Sequence, residues 1–185
     1  SIFLLFSLTL LTGFIWLIRN SEDISKYVNR PITKVRMDNQ WQRVSESEIR
    51  QLIRGYMGAG FFQFDISGVK ETLKLHSWVD EVSVKRVWPD SLSLKLTENI
   101  AIARWGQGQL LNQYGEIFRP QNVGKFTSLP LLAGPLDHQI SVMQKYQLLS
   151  QLLFSSGLKL SGLNLSPRGS WELTLNDSIQ IIVGK

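Results

Sequence analysis

The chain has 185 residues, enough for two small domains and well above the size at which a hydrophobic core becomes marginal. With 43% hydrophobic, 19% charged and 10% aromatic residues it is too apolar for a disordered chain and too mixed for a polytopic membrane protein; without cysteine, it has no disulfide scaffold, thiolate metal site or cysteine nucleophile. The formal charge of +5 is diffuse, 13 Lys/Arg against 11 Asp/Glu over residues 19–100 and 7 against 4 beyond, and no basic run interleaves with aromatics, so nucleic acid is not an expected partner.

Ser1 to Ile18 carries no charge and meets Arg19 and the acidic pair Glu22-Asp23. A helix of that length covers roughly 27 Å against a hydrocarbon core of roughly 30 Å, with Trp16 placed as an interfacial anchor. A single membrane anchor over residues 1–19 is therefore expected. No small-x-small site follows the run, which argues against a cleaved signal peptide. The chain opens on Ser1 and not Met, so a preceding segment is expected. The visible flank mixes Arg19, Lys26 and Arg30 with Glu22 and Asp23, which leaves sidedness open.

Residues 20–30 read as a polar linker. After Pro31, the segment Ile32 to Met37 alternates as a half-buried strand does. Ser45-Glu46-Ser47-Glu48 is a capping box that opens a helix carrying Ile49, Leu52 and Ile53, and Gly55, Gly58 and Gly60 close it. Phe61, Phe62 and Phe64 are expected to plug the core. Asp65 or Ser67 caps a second helix with Val69, Leu73 and Leu75 on its apolar side. Val79 to Val87 and Ser91 to Thr97 then alternate as two strands joined by a turn at Trp88-Pro89-Asp90-Ser91. The first unit, residues 31–99, thus reads strand, helix, helix, strand, strand.

From residue 100 short strands and turns take over: Ala101 to Arg104, Gln109 to Asn112 and Ile117-Phe118. Leu129 to Leu132 is apolar, and Ile140 through Leu153 fit a long helix ending near Gly157. Leu163 and Leu165, Trp171 to Leu175 and Ile179 to Val183 suggest an antiparallel meander that stops abruptly at Lys185, so this second unit, residues 100–185, is expected to be incomplete. The fold class is α+β.

Little in the chain suggests catalysis. His76 and His138 stand roughly sixty residues apart without a metal-ligand spacing, and packing or capping accounts for them. Glu46 and Glu48 serve the helix start, while Asp80-Glu81 diverge on a strand. No nucleophile elbow, dinucleotide loop or phosphate loop is present. No metal, cofactor or enzymatic activity is expected, and the six tryptophans read mainly as core.

The strings SWVDEVSVKRVWPDSL at 77–92, Thr97-Glu98, AIARWG at 101–106, LNQYGEIF at 111–118, PLLAGP at 130–135 and SWELTLN at 170–176 resemble the FtsQ/DivIB family of bacterial cell-division proteins, in the family's order. The resemblance implies a single-pass inner-membrane protein with a cytoplasmic N-terminus, a POTRA domain next to the membrane and a periplasmic β domain. It implies a non-enzymatic scaffold at the division septum, binding FtsB and FtsL and connecting cytoplasmic with periplasmic components of the divisome. The strand-helix-helix-strand-strand order matches POTRA. The family's principal FtsB-binding edge corresponds to residues beyond Lys185. A second family surface, around the second POTRA strand, corresponds to Glu81, Val84 and Arg86, with Ile66 nearby. The alternative is a POTRA component of outer-membrane polypeptide transport, which would carry a β-barrel; residues 101–185 hold too few strands for one.

Overall fold

The computed structural model describes residues 12–13, 15–16 and 27–184. The anchor expected over residues 1–19 lies almost wholly outside them, as does most of the 20–30 linker. Among the described residues no helix is long and apolar enough to cross a membrane. The chain divides into two compact units, one formed by residues through His76 with Glu81–Thr97 and the other by Ser77–Asp80 with the residues from Glu98 onward.

In the first unit, strand β1 (Lys34–Met37) is followed by helices α1 (Glu46–Ile53) and α2 (Ile66–Lys74) and strands β2 (Val79–Val87) and β3 (Ser91–Glu98). The capping box opens α1: the Ser45 hydroxyl accepts from the Glu48 amide at 3.2 Å, and the Glu48 carboxylate accepts from the Ser45 amide at 2.8 Å. The Ser45 hydroxyl also donates to the Glu48 carboxylate at 2.7 Å, and this bond, followed by that of the Ser45 amide, holds the Glu48 carboxyl below its ordinary pKa. Asp65 caps α2 by accepting from the Gly68 amide at 2.9 Å. The sheet order is β1-β3-β2, with β1 parallel to β3 in a register running from Lys34 opposite Ser91 to Met37 opposite Leu94. The crossover that parallel pairing requires is supplied by the two helices.

Leu92, Leu94 and Leu96 of β3 are buried, as are Ile49 and Ile53 of α1 and Val69 and Leu73 of α2. The period-2 face of the central strand and the helical stripes therefore form one core, each fully buried aliphatic side chain contributing about 1.5–3 kcal/mol. Three expectations need correction. Of the three phenylalanines only Phe64 is buried at 2% exposure, whereas Phe62 is 55% exposed; Leu75 lies past the end of α2 and is 85% exposed. The Ile32 to Met37 strand also starts later, at Lys34, because Ile32 is engaged in a loop ladder: its amide donates to Ala59 and its carbonyl accepts from Gly58.

The second unit contains β4 (Ala101–Trp105), β5 (Gln109–Asn112), β6 (Ile117–Phe118), β7 (Leu131–Ala133), helix α3 (Gln139–Phe154), β8 (Leu160–Leu165), β9 (Trp171–Leu175) and β10 (Ile179–Val183). They form a seven-stranded sheet ordered β10-β9-β8-β7-β4-β5-β6. The outer pairs are antiparallel, but β7 runs parallel to both β4 and β8. The sheet is thus mainly antiparallel, with a parallel centre in place of a continuous meander. The α3 crossover explains the parallel β7–β8 pair. Val142 and Met143 of α3 pack into a core with Trp105, Leu132, Leu163 and Leu173.

Buried polar groups in this unit differ: Gln139 Oε1 at the start of α3 has no hydrogen-bond partner, whereas Asn112 is fully satisfied. Asn112, at 1% exposure, donates to Asn99 Oδ1 and Glu116 Oε2 and accepts from the amides of Tyr114 and Glu116, all at 2.9 Å. One side chain therefore fixes the turn between β5 and β6. Beside it Gly115 adopts φ +80, a left-handed conformation that favours glycine.

Candidate partner-binding surfaces

A strand at the rim of a sheet carries backbone groups with no neighbour to pair with, and these are a template for an added strand. In the first sheet both β1 and β2 are edges. β1 has four residues, and Arg50 Nη2 donates to the Val35 carbonyl at 3.2 Å, occupying part of its backbone. β2 has nine residues and is the longer edge.

The four residues picked out from the sequence converge on β2 and the start of α2, but do not form one uniform face. Glu81 is exposed, and strand alternation sets it opposite Val84 and Arg86. Val84 is only 5% exposed, so its side chain belongs to the core and a partner would meet its backbone. Ile66, the first residue of α2, is half-buried, and its amide donates to the Phe64 carbonyl at 3.1 Å. Arg86 Nη2 donates to the same carbonyl at 2.9 Å. Ile66 and Arg86 are therefore brought together at Phe64, while Glu81 stands on the other side of the strand. The sequence could suggest that Arg86 was exposed, but not that it was tied down, because the tie spans 22 positions.

Among the described residues the outermost strands of the second sheet are β6, of two residues, and β10, of five. All five β10 residues are exposed: Ile179, Ile181 and Val183 at 41–49% and Ile182 at 74%. Its register places Ile179, Ile181 and Val183 opposite Leu175, Leu173 and Trp171. These β9 residues belong to the core under α3 or pack against it, so three β10 side chains lie on the helix-covered side of the sheet without being covered themselves. On α3, Lys145 Nζ lies 5.7 Å from the Trp171 ring, and exposed Leu148 and Leu152 follow Lys145 at helical spacing along that flank. Exposed apolar side chains are thus found both on α3, which packs on β7 and β8, and on the outermost described strand. The alternation of Ile179, Ile181 and Val183 was legible in the sequence; its position at a rim was not.

The other side of this sheet has an open concavity of about 540 Å³ bordered by Arg104, Asn164, Glu172, Thr174 and Gln180. Gly162 lies at its floor, where an added Cβ would come within 3.2 Å of the Leu131 carbonyl and the Thr174 side chain. Asn164 donates to Glu172 at 3.0 Å, and Arg104 Nε donates to the Leu129 carbonyl at 3.1 Å. These polar groups hold the sheet together and do not converge on one point. His138 stands at the N-cap of α3 with Nδ1 3.0 Å from the Leu136 carbonyl. Among the described residues no three His, Asp or Glu side chains are grouped as metal ligands would be.

Two family models cover these units: the FtsQ-type POTRA domain matches residues 30–99, and the C-terminal domain of cell division protein FtsQ/DivIB matches residues 103–185. The chain belongs to the FtsQ/DivIB family. It is 37% identical over 164 residues to the cell division protein FtsQ of Cellvibrio japonicus, covering 89% of this chain and 51% of that protein. Against the FtsQ of Coxiella burnetii the identity is 34% over 155 residues, covering 84% and 64% respectively. A more distant FtsQ, from Methylomonas methanica, is 26% identical over 185 residues, covering 99% of this chain and 73% of that protein. The chain thus spans about half to two thirds of the length of the first two FtsQ relatives. The FtsQ-type POTRA match and the FtsQ-type domain after it favour this family over the outer-membrane transport alternative.

Proposed function

We propose that this chain is a non-enzymatic scaffold of the bacterial division septum, anchored in the inner membrane by residues 1–18 with its N-terminus cytoplasmic and both folded units periplasmic. It takes no cofactor, and its work is the binding of FtsB, FtsL and other divisome membrane proteins, which links cytoplasmic with periplasmic components. Family membership supports the role in division. The observation that carries the mechanism is the strand β2 at the rim of the first sheet; in the second sheet β10 is the outermost strand among the described residues. Strand addition at such a rim gains affinity from backbone hydrogen bonds and selectivity from alternate side chains, so it needs no catalytic geometry.

The two rims differ in chemistry. β2 offers charge, through Glu81, Lys85 and Arg86, whereas β10 offers Ile179, Ile181, Ile182 and Val183. In this reading the main FtsB site is built on residues that follow Lys185 in longer relatives, next to β10, and the Ile66, Glu81, Val84 and Arg86 region is a second, more polar contact. The test is a titration of this chain, and of a form extended to the relatives' length, with the periplasmic part of an FtsB–FtsL complex. Tight binding by the extended form alone supports the main site beyond Lys185. Equal binding by both moves that site into the present residues, and failure of both folded forms overturns the partner assignment.

A further inference from the structure

The exposed apolar residues of the first unit are unevenly distributed. Within residues 27–97 seven large hydrophobic side chains are exposed: Tyr27, Val28, Leu52, Phe62, Leu75, Val87 and Trp88. Five of these, all but Leu52 and Leu75, belong to segments that meet at one end. The incoming chain lies between two loops there. Asn29 Oδ1 accepts from the Phe62 amide at 3.0 Å, the Arg30 carbonyl accepts from the Phe61 amide at 2.9 Å, and Pro31 bridges to Gly60. On its other side the Thr33 amide donates to the Asp90 carbonyl at 3.0 Å, tying it to the turn that carries Trp88.

This end is also cationic. The Arg30 guanidinium lies 4.6 Å from the Tyr27 ring, and Lys34 pairs with Asp90 at 2.9 Å, leaving Arg30 in excess. Exposed aromatics mixed with arginine or lysine are the chemistry of a membrane–water interface, where amphipathic rings sit at the headgroup level and cations meet lipid phosphate. The sequence supplies the reason for a bilayer to be near. The uncharged run Ser1 to Ile18 is separated from Tyr27 by eight residues, a tether of at most roughly 30 Å even if fully extended. A tether that short keeps the surface at high effective concentration, so a contact too weak to bind lipid alone becomes populated.

We propose that the end of the first unit formed by Tyr27, Arg30, Phe62 and Trp88 docks on the lipid headgroup layer, fixing the tilt of this unit against the membrane. This rests on the reading of residues 1–18 as an anchor. Docking leaves the β2 edge presented at a set height, whereas a freely swinging unit would present it at all orientations.

Because the chain has no native cysteine, single labels can be placed cleanly. The full chain is reconstituted in vesicles of phosphatidylethanolamine and phosphatidylglycerol, with an environment-sensitive fluorophore at Phe62→Cys, Trp88→Cys or Leu75→Cys, and brominated lipids as quencher. Leu75 is the control, since α2 separates it from Asp65 by nine helical residues, roughly 13 Å. The expected result is several-fold stronger quenching at positions 62 and 88 than at 75. Equal, weak quenching at all three positions in a chain that floats with the vesicles overturns the docking inference and leaves the anchor reading intact. Protection of 62 and 88 only after addition of a protein partner also overturns it. A chain that does not float with vesicles overturns the anchor reading, and docking with it. Phe62 and Trp88 lie on separate loops and are both exposed, so misfolding of one variant leaves the other to decide.

Discussion

Arg86 Nη2 donates a hydrogen bond of 2.9 Å to the carbonyl of Phe64, fastening the far end of an edge strand to the loop that introduces α2. An exposed arginine on an edge is readily read as a partner contact or as a charge that discourages aggregation. Here it also has a structural duty. Arg86→Ala should lower stability by about 1 kcal/mol, and Arg86→Glu by about 2 kcal/mol, because a carboxylate then faces a carbonyl oxygen. Urea unfolding of the two variants checks this. It also means that a recruitment defect in Arg86→Glu has to be corrected for lost folded protein.

Glu81 is the better probe of the β2 surface. It is exposed and lies across the strand from Arg86, so Glu81→Lys should change stability by no more than about 0.5 kcal/mol. If the β2 region contacts a division partner, this variant loses septal localisation while its unfolding midpoint stays fixed. Normal localisation removes Glu81 from that surface.

Asn112 illustrates what the sequence hid. At the end of the strand read as Gln109 to Asn112 it carries no sequence signal of burial, yet it is 1% exposed and satisfies four hydrogen bonds. Asn112→Leu keeps the volume but leaves the Tyr114 and Glu116 amides without their acceptor. A loss of about 2–3 kcal/mol is expected, since a buried donor left unpaired costs roughly 1–3 kcal/mol. Thermal unfolding reads the loss, and Asn112→Asp at neutral pH should be no better because the two donations from Nδ2 become repulsions.

The legible features were local ones. Ser45 and Glu48 stand three residues apart and announce their helix, Asp65 announces the next, and the alternation from Val79 through Thr97 gives the hairpin. These signals arise within a turn or a strand pair and need no knowledge of the rest of the chain. Parallel pairing of Leu131 with Arg104 and with Gly162 was not legible, because separations of 27 and 31 residues leave no periodic trace. The same reason hid the anchoring of Arg86. Phe62 was read as core because apolar residues usually are, but Phe61 and Phe64 flank a loop whose bonds to Asn29 and Arg30 turn Phe62 outward.

In a chain that stops at Lys185 the β10 edge predicts behaviour in solution. An apolar, exposed edge strand is a site for self-pairing. Ile182→Lys, at a position 74% exposed, should raise solubility and reduce concentration-dependent association while leaving the unfolding midpoint within about 0.5 kcal/mol of the parent. Sedimentation at several concentrations decides the matter. Unchanged association would place self-contact elsewhere.

Acid should weaken the first unit. Hydrogen bonding to Lys34 and then to Ser91 holds the Asp90 carboxyl below its ordinary pKa, and bonding to Ser45 does the same for Glu48. A carboxylate whose folded pKa is depressed adds stability above its unfolded value, and that stability is lost as pH falls through the folded value. The loss therefore falls below about pH 4, where unfolded carboxylates take up protons. Glu48 is exposed, and half-buried Asp90 pairs with an exposed Lys34, so the effect is small and salt-sensitive. Asp90→Asn and Glu48→Gln should each flatten the acid limb of the urea midpoint against pH without changing the slope near neutrality.

The central claim is that this chain acts through open strand edges. The most direct measurement is backbone hydrogen exchange of the chain, and of its form extended to the relatives' length, in lipid vesicles, with and without the periplasmic segments of an FtsB–FtsL complex. An added strand pairs with rim amides, so the account predicts slowed exchange within Val79–Val87 or Ile179–Val183, with the interior strands β3 and β8 unchanged. Binding that protects neither segment, or no binding by the folded chain and its extended form, would contradict it.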